Sequence, residues 1–401
     1  MKTLTVSLLF FLYLPALTAA IDSSPPVTLS IGTDVLEFAN KKFGQRLEVL
    51  EKSADITLVN LDEAAIPWLS MLVHQEFGRC GGFMRHDSEE EGFQLLDSKE
   101  LREAGQKARF LDYEINREDI VRSMMSEAQA QPIANFIRLL SNFHNRYYDS
   151  ESGVASTNAI ADHWRELTKF RTDVSVELYR HSAWLQPTVI MTIQGQTDER
   201  IIVGGHADSI AGTFSRARAR APGADDNASG IATMTEVIRV IVESGYRPYR
   251  TIQFMGYAAE EVGLRGSKEI AQNYRNQGID VVGVLQLDMT NYPGADKDIV
   301  LMNDFTSAPQ NAFIGQLIGH YLPELRWGYD RCGYACSDHA SWTQAGFPAS
   351  IPFESTNRQR NPHIHTDRDT LERSSVDASH AVKFAKLALA FVVEIDEPVL
   401  P

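Results

Sequence analysis

The sequence predicts an α/β fold in which a mostly parallel, mixed central β-sheet is sandwiched by α-helices. Three observations carry this reading. Beyond about residue 130, apolar runs of strand length alternate with segments whose apolar residues recur at helical spacing, and such alternation builds a sheet covered on both faces. The chain has 401 residues, 43% hydrophobic and 23% charged, the composition of a globular protein and not of a disordered one. Acidic and imidazole residues also collect where the strand candidates end, which is where open α/β sheets bind ligands.

The elements follow in chain order. Lys2 precedes an apolar run from Leu4 to Leu17 and the small residues Thr18-Ala19-Ala20, the layout of a secretory signal and too short to span a bilayer. Residues 1–20 are therefore expected to be removed on export, giving a secreted, extracellular protein without a membrane partner. Residues 21–88 read as a propeptide, with a linker-like Ser23-Ser24-Pro25-Pro26, weakly patterned charged stretches, and Gly81-Gly82 beside the acidic Ser88-Glu89-Glu90-Glu91. A junction of that composition is where proteases cut; an extension that stays attached is the alternative. Residues 89–401 then form the catalytic domain. A net charge of 38 − 53 = −15 excludes nucleic acid as a partner. Three cysteines are too few for a disulfide scaffold and leave one unpaired in an oxidising compartment; Cys80 would leave with the propeptide.

Within the catalytic domain Ile133, Phe136, Ile137 and Leu140 mark a helix, and residues 189–193 and 201–203 are buried-strand runs. A helix over 229–242, a strand over 251–255, a helix over 267–276, a strand over 281–287 and a final amphipathic helix over about 378–394 follow.

Chemistry-bearing residues stand at the strand ends. The run 201–203 delivers His206 and Asp208; the next loop delivers Asp225, Asp226 and Asn227 at a helix start; 251–255 runs into Glu260 and Glu261; 281–287 delivers Asp288; a late loop brings His363 and His365. Charged groups next to apolar strands are costly to place unless something pairs with them. Two imidazoles with several carboxylates suit zinc, and no Cys pair of a structural thiolate site lies near these motifs. One metal would be held by His206 and Asp288 and a second by Glu261 and His365, with Asp226 bridging and a coordination position open for water. Glu260 is placed to take the water's proton, and Asp208 to accept the other ring N–H of His206. Asp225 and Asn227 read as turn and helix-cap residues.

His206-Ala207-Asp208, Pro222-Gly223-Ala224-Asp225-Asp226-Asn227-Ala228-Ser229-Gly230, Tyr257-Ala258-Ala259-Glu260-Glu261, Leu287-Asp288-Met289 and Cys332-Gly333-Tyr334-Ala335-Cys336-Ser337-Asp338-His339 together resemble the secreted di-zinc leucine aminopeptidases of the M28 metallopeptidase family, and most closely the branch that includes the Vibrio enzyme. The resemblance runs from about residue 130 to the C-terminus. It implies the zinc-peptidase (phosphorylase/hydrolase-like) fold and two Zn2+ per subunit on His206, Asp226, Glu261, Asp288 and His365. It also implies Glu260 as general base, Asp208 behind a ligand, Tyr334 on the oxyanion, a cis peptide after Asp226, and a Cys332–Cys336 disulfide. Its implied activity is removal of an N-terminal leucine or other large apolar residue from peptides with a free N-terminus, the side chain received by Met289, Met302, Cys332, Cys336, Ile351, Phe353 and Ile364. The propeptide would act as intramolecular inhibitor or chaperone and the enzyme as a monomer. Asn357 and Arg360 depart from the branch, which carries aromatic residues at that rim. A glutaminyl cyclase-like acyltransferase and a non-catalytic, protease-like binding domain are the alternatives. The sequon Asn227-Ala228-Ser229 lies inside the expected site and is expected to be unmodified.

Overall fold

A computed structural model describes residues 26–77, 79, 82–96, 110, 113–212 and 216–397. The expected signal segment and Cys80 lie outside the described residues.

Residues 26–96 form a unit with its own core. The strands β1 (Pro26–Gly32), β2 (Leu47–Lys52), β3 (Ile56–Asp62) and β4 (Phe83–His86) alternate with helices α1 (Leu36–Phe43) and α2 (Ile66–Phe77), and α3 (Glu89–Leu96) follows. The sheet order is β2-β3-β1-β4, antiparallel throughout, the β-α-β-β-α-β arrangement of ferredoxin-like units. Leu29, Ile31, Val59 and Leu61 pack with Leu69 and Val73 of α2. Leu58 points to the opposite face, where α3 brings Gly92 against it; a Cβ at Gly92 would come 2.4 Å from Leu58 Cδ1. The boundary expected at residues 88/89 therefore falls between β4 and α3, and α3 belongs with the N-terminal sheet because its buried Leu95 and Leu96 close that face.

The second unit has α4 (Glu118–Glu127), α5 (Ala130–Ser141), α6 (Glu151–Thr168), β5 (Val174–Tyr179), β6 (Thr188–Ile193), β7 (Thr197–His206), α7 (Ala228–Glu243), β8 (Arg250–Tyr257), α8 (Arg265–Gln277), β9 (Val281–Gln286), β10 (Ile299–Met302), α9 (Ala308–Tyr321), β11 (Trp327–Asp330), α10 (His339–Gln344), β12 (Ala349–Ser350), β13 (Pro352–Phe353) and α11 (Ala381–Glu394). Its six-stranded sheet has the order β12-β9-β7-β8-β6-β5. β12, β9, β7 and β8 run parallel, and β6 and β5 add antiparallel, so the expected mixed sheet is observed. Alternation within β7 explains how helices cover both faces: Ile201 and Val203 enter the core built on α7 and α11, while Ile202 enters the core with Ile270 and Trp342. The larger core runs from Phe110 to Ile395 and takes no residue from 26–96. A second sheet, β11-β10-β13, stands beside the carboxyl ends of the main strands. Among the described residues no helix is long and apolar enough to cross a membrane.

One junction between the two units lies at α8 and the residues around it. Lys268 Nζ donates to Arg85 O (3.0 Å) and Glu91 Oε2 (2.8 Å), Arg85 N donates to Gly263 O (3.3 Å), and Met84 packs with Leu264, Ala335 and Ala340.

Candidate active site

The carboxyl ends of β7, β8 and β9 bring His206, Glu260, Glu261 and Asp288 to one place, and the loops before α7 and before α11 add Asp226 and His365. His206 Nε2 lies 3.0 Å from Asp226 Oδ1 and 3.5 Å from Asp288 Oδ1. His365 Nε2 lies 2.7 Å from Glu261 Oε2 and 3.2 Å from Asp226 Oδ2. Asp226 thus turns one oxygen toward each imidazole. His206, Asp226 and Asp288 form one set of donor atoms within 4.8 Å of one another, Asp226, Glu261 and His365 a second, and His206, Glu260 and Glu261 a third. His363 is in none of these sets.

Local sequence explains the placement. Asn227 caps α7, its Oδ1 accepting from Gly230 N (2.9 Å), and its Nδ2 donates to Leu287 O (2.9 Å). The cap therefore ties Asp226 to the end of β9, with the sequon amide buried. Gly230 is required there: a Cβ would lie 2.2 Å from Leu287 O. The Asp226–Asn227 peptide is cis. Ala259, Met289 and His365 have φ of 59°, 55° and 56°, and each is a cluster residue or adjoins one. Left-handed backbone at residues with a Cβ is held against its preference, as at functional sites.

The supporting contacts differ in detail from expectation. Asp208 stands beside His206, but Nδ1 meets its main-chain oxygen at 3.2 Å and its carboxylate at 3.4 Å. The Asp208 carboxylate accepts from Glu260 N (3.1 Å) and Glu261 N (3.2 Å). Asp369 does the same for the other acidic pair, accepting from Asp225 N (3.1 Å) and Asp226 N (3.0 Å). Asp225 accepts from Asn291 N (3.2 Å) and Asn361 Nδ2 (2.9 Å), so it is a turn residue as expected. Sequence reasoning missed Asp369, Ser337, whose Oγ donates to Asp288 Oδ2 at 2.5 Å, and buried Arg146. Arg146 donates to the carbonyls of Ala207 (3.0 Å), Pro222 (2.6 Å) and Gly223 (2.9 Å), joining the loops that carry His206 and Asp226. Ser337 stands in the run from Cys332 to His339 beside other site residues, and that position is the signal the sequence carries.

Burial sets the electrostatics. It pushes Glu260 well above the usual carboxylate range, with Glu261 and Asp288 adding to the shift, and Glu261 up to about 7. Burial also opposes charge on Asp226, but hydrogen bonds from His206 and His365 outweigh it and hold that carboxylate well below its ordinary value. His365 rises to about 10 because Glu261 and Asp226 outweigh its desolvation. Both carboxylate oxygens of Glu260, and Asp288 Oδ1, are buried without a hydrogen-bond donor. Orphaned buried acceptors beside imidazoles are what a bound cation would satisfy, so the residues present fit zinc.

Beside this cluster, Met289, Met302, Cys332, Cys336, Ile351, Phe353 and Ile364 gather with Val300 and Tyr334 in one buried apolar group, and Cys332 and Cys336 are disulfide-bonded. Asn357 and Arg360, at its rim, bond to each other (2.5 Å).

The N-terminal unit lies across the site. Arg216 Nη2 donates to Pro67 O (2.9 Å) at the start of α2, and Arg360 Nη2 to Phe77 O (3.0 Å) at its end, points about 15 Å apart along a helix. Ser70 and Met71 of α2 share a cavity with Ile364 and His365, and the Arg79 guanidinium sits 5.1 Å from the Tyr334 ring centroid.

Comparison with known proteins agrees with this geometry. Residues 188–392 match Peptidase family M28. Leucine aminopeptidase 1 of Metarhizium robertsii is 37% identical over 291 residues, covering 69% of this chain and 72% of that protein. Leucine aminopeptidase 1 of Grosmannia clavigera is 31% identical over 395 residues, covering 93% and 94%. The crystal structure of the Legionella pneumophila LapA aminopeptidase superposes with a TM-score of 0.79 at 27% identity, covering 94% of this chain and 100% of that one. The fold, the family model and the relatives coincide, and this chain belongs to peptidase family M28.

Proposed function

We propose that the protein is an exported aminopeptidase that hydrolyses an N-terminal leucine, or another large apolar residue, from peptides, with two zinc ions per chain. The observation that carries this is Asp226 lying between two three-residue donor sets, one with His206 and Asp288, the other with Glu261 and His365. Zinc held there supplies a Lewis acid for the peptide carbonyl and an acidified water. The protein's own residues do the rest. Glu260, buried and without a hydrogen-bond donor on either oxygen, takes the proton of the attacking water and returns it to the leaving amine. Tyr334 donates to the oxyanion. The surrounding carboxylates attract the substrate's α-ammonium group, which restricts cleavage to the first residue. The apolar group around Met289 and Met302 receives its side chain, each buried methylene contributing about 0.8 kcal/mol.

The same reading makes residues 26–96 a propeptide that inhibits in cis, since α2 spans the site between Arg216 and Arg360. Its removal requires a cut between α3 and α4, and the mature enzyme is a secreted monomer. The test is metal quantification, N-terminal sequencing of the active form, and leucine release from a chromogenic amide before and after the cut. Two zinc ions, a new N-terminus between α3 and α4 and a rise in activity are expected. A single zinc with cyclisation of N-terminal glutamine would establish the cyclase instead, and absence of any turnover a binding domain.

A further inference from the structure

Arg216 belongs to the second unit, yet its Nη2 donates to a main-chain carbonyl of the first, Pro67 O. The residue is 6% exposed, and its Nε is buried with no hydrogen-bond partner. It lines a cavity of about 710 Å³ that also holds Ile364 and His365, with Ser70 and Met71 of α2 as the opposite wall. Gly212, which lines the same cavity, donates its N–H to His365 O (3.3 Å) in the loop of a proposed zinc ligand. Arg220 lines the same cavity but spends its guanidinium on the carbonyls of Ser141 (2.7 Å), Phe143 and His144 (3.3 Å). Asp367 is the acidic residue of the lining. Arg216 is thus a cation lining the cavity, with Nη2 already holding a peptide carbonyl.

An aminopeptidase seats only one residue on the apolar side of its reacting centre; everything beyond the scissile bond must leave by another route. Resting on the aminopeptidase reading above, we infer that this cavity receives the substrate chain after the scissile bond, and that Arg216 binds that chain's carbonyl oxygens and, in short peptides, its terminal carboxylate. In the intact chain the Pro67 carbonyl occupies the donor that the substrate would use, so α2 blocks the leaving-chain side as well as lying over the reacting centre. Arginine suits the position because its planar fork can hold a carboxylate through two parallel hydrogen bonds.

The experiment uses the full chain, folded intact and then nicked between α3 and α4, in wild-type, Arg216→Gln and Arg216→Lys forms. Substrates are Leu-Gly-Gly, its C-terminal amide, and leucine p-nitroanilide. For Arg216→Gln, KM for Leu-Gly-Gly is expected to rise about tenfold with kcat unchanged, the tripeptide amide to lose less, the anilide to be unaffected, and Arg216→Lys to recover part of the loss. Equal losses on all three substrates, or none on the tripeptide, would overturn the inference. A turnover-independent arm measures binding of a reduced-amide analogue of Leu-Gly-Gly by calorimetry, with the same tenfold weakening expected and unchanged affinity counting against it. Failure of the wild-type protein to cleave the anilide would sink the aminopeptidase reading alone, because the binding arm still reads Arg216.

Discussion

Asp369→Asn is the substitution that most directly tests how the site is held. The Asp369 carboxylate is buried and accepts from Asp225 N at 3.1 Å and Asp226 N at 3.0 Å. An asparagine of the same shape can accept one of these bonds but turns an amide donor toward the other N–H. The loss is one hydrogen bond, about 0.5–1.5 kcal/mol, with a buried donor left unsatisfied at a cost of about 1–3 kcal/mol. Part of it appears as lower global stability and part as freedom of Asp226, which stands between both donor sets. At about 1.4 kcal/mol per tenfold, and in line with the 10–100-fold effects of residues that orient metal ligands, zinc affinity should fall about 10–100-fold. The assay is competition with a chelator of known affinity, read as bound zinc per chain, alongside kcat/KM at saturating zinc. Saturating zinc should restore most of the activity. A variant with wild-type zinc affinity, or one whose zinc affinity is unchanged while its melting temperature alone falls, would refute the role assigned to the clamp.

Glu260→Gln should bind zinc normally and lose about 10²–10⁴ in kcat; retention of full activity would remove Glu260 as the base. Lys268→Met withdraws the buried ammonium from Arg85 O and Glu91, weakening attachment of the N-terminal unit by about 2 kcal/mol, or about thirtyfold. Full-length variant should accordingly show higher activity than full-length wild type, and equal activities would count against inhibition in cis. His86 lies buried in β4 with Nε2 on Ser30 Oγ (3.1 Å), and burial, with Lys268 nearby, lowers its pKa to about 3. Because the unfolded value is 6.5, the unfolded chain gains a proton below that pH while the folded chain does not. Stability from this group is complete above about pH 6.5 and falls by about 1.4 kcal/mol per pH unit toward pH 3, or about 2 kcal/mol by pH 5. Denaturant unfolding of the N-terminal unit at pH 7.5 and 5 should show this slope in wild type and not in His86→Asn; identical slopes would exclude His86 as the cause.

The catalytic unit was legible because its strands are buried on both faces and so read as apolar runs: 201–203 and 251–255 lie inside observed strands and 281–287 overruns β9 by one residue, and the ligand candidates follow directly behind them. The N-terminal sheet gave no such signal. In β1, Val27, Leu29 and Ile31 do alternate with Thr28 and Ser30, but Thr28 and Ser30 are buried as well, with Thr28 bonded to Asn60 of β3 (2.9 Å), and β2 is mostly exposed, so no unbroken apolar run marks these strands. Gly82 and the glutamates after it read as a junction, whereas Gly82 precedes β4 and Glu89, Glu90 and Glu91 begin α3. Arg146 and Asp369 were illegible for a different reason. Each acts on main-chain atoms about 61 to 144 residues away, and a side chain that bonds to backbone requires no particular partner residue that a motif could reveal.

The two acidic doublets themselves argue for the clamps. Asp225-Asp226 and Glu260-Glu261 each place adjacent carboxylates in a buried loop, where like charges and desolvation oppose both, and only the second of each pair joins the bridging set around His365. Which carboxylate enters depends on the peptide plane, because rotating the loop exchanges the two. A single bidentate acceptor on both N–H groups fixes that plane, and the structure supplies one for each doublet: Asp369 for the first and Asp208 for the second. Asp208 lies within the strand-end motif and could be singled out from sequence, though its expected task was the His206 ring. Asp369 lies in the late loop, four residues after His365, and its identical task means that the ligand loop and the clamp for the bridging residue move as one segment. A displacement of that loop would therefore disturb His365 and Asp226 together, and both donor sets would be lost at once through the residue they share.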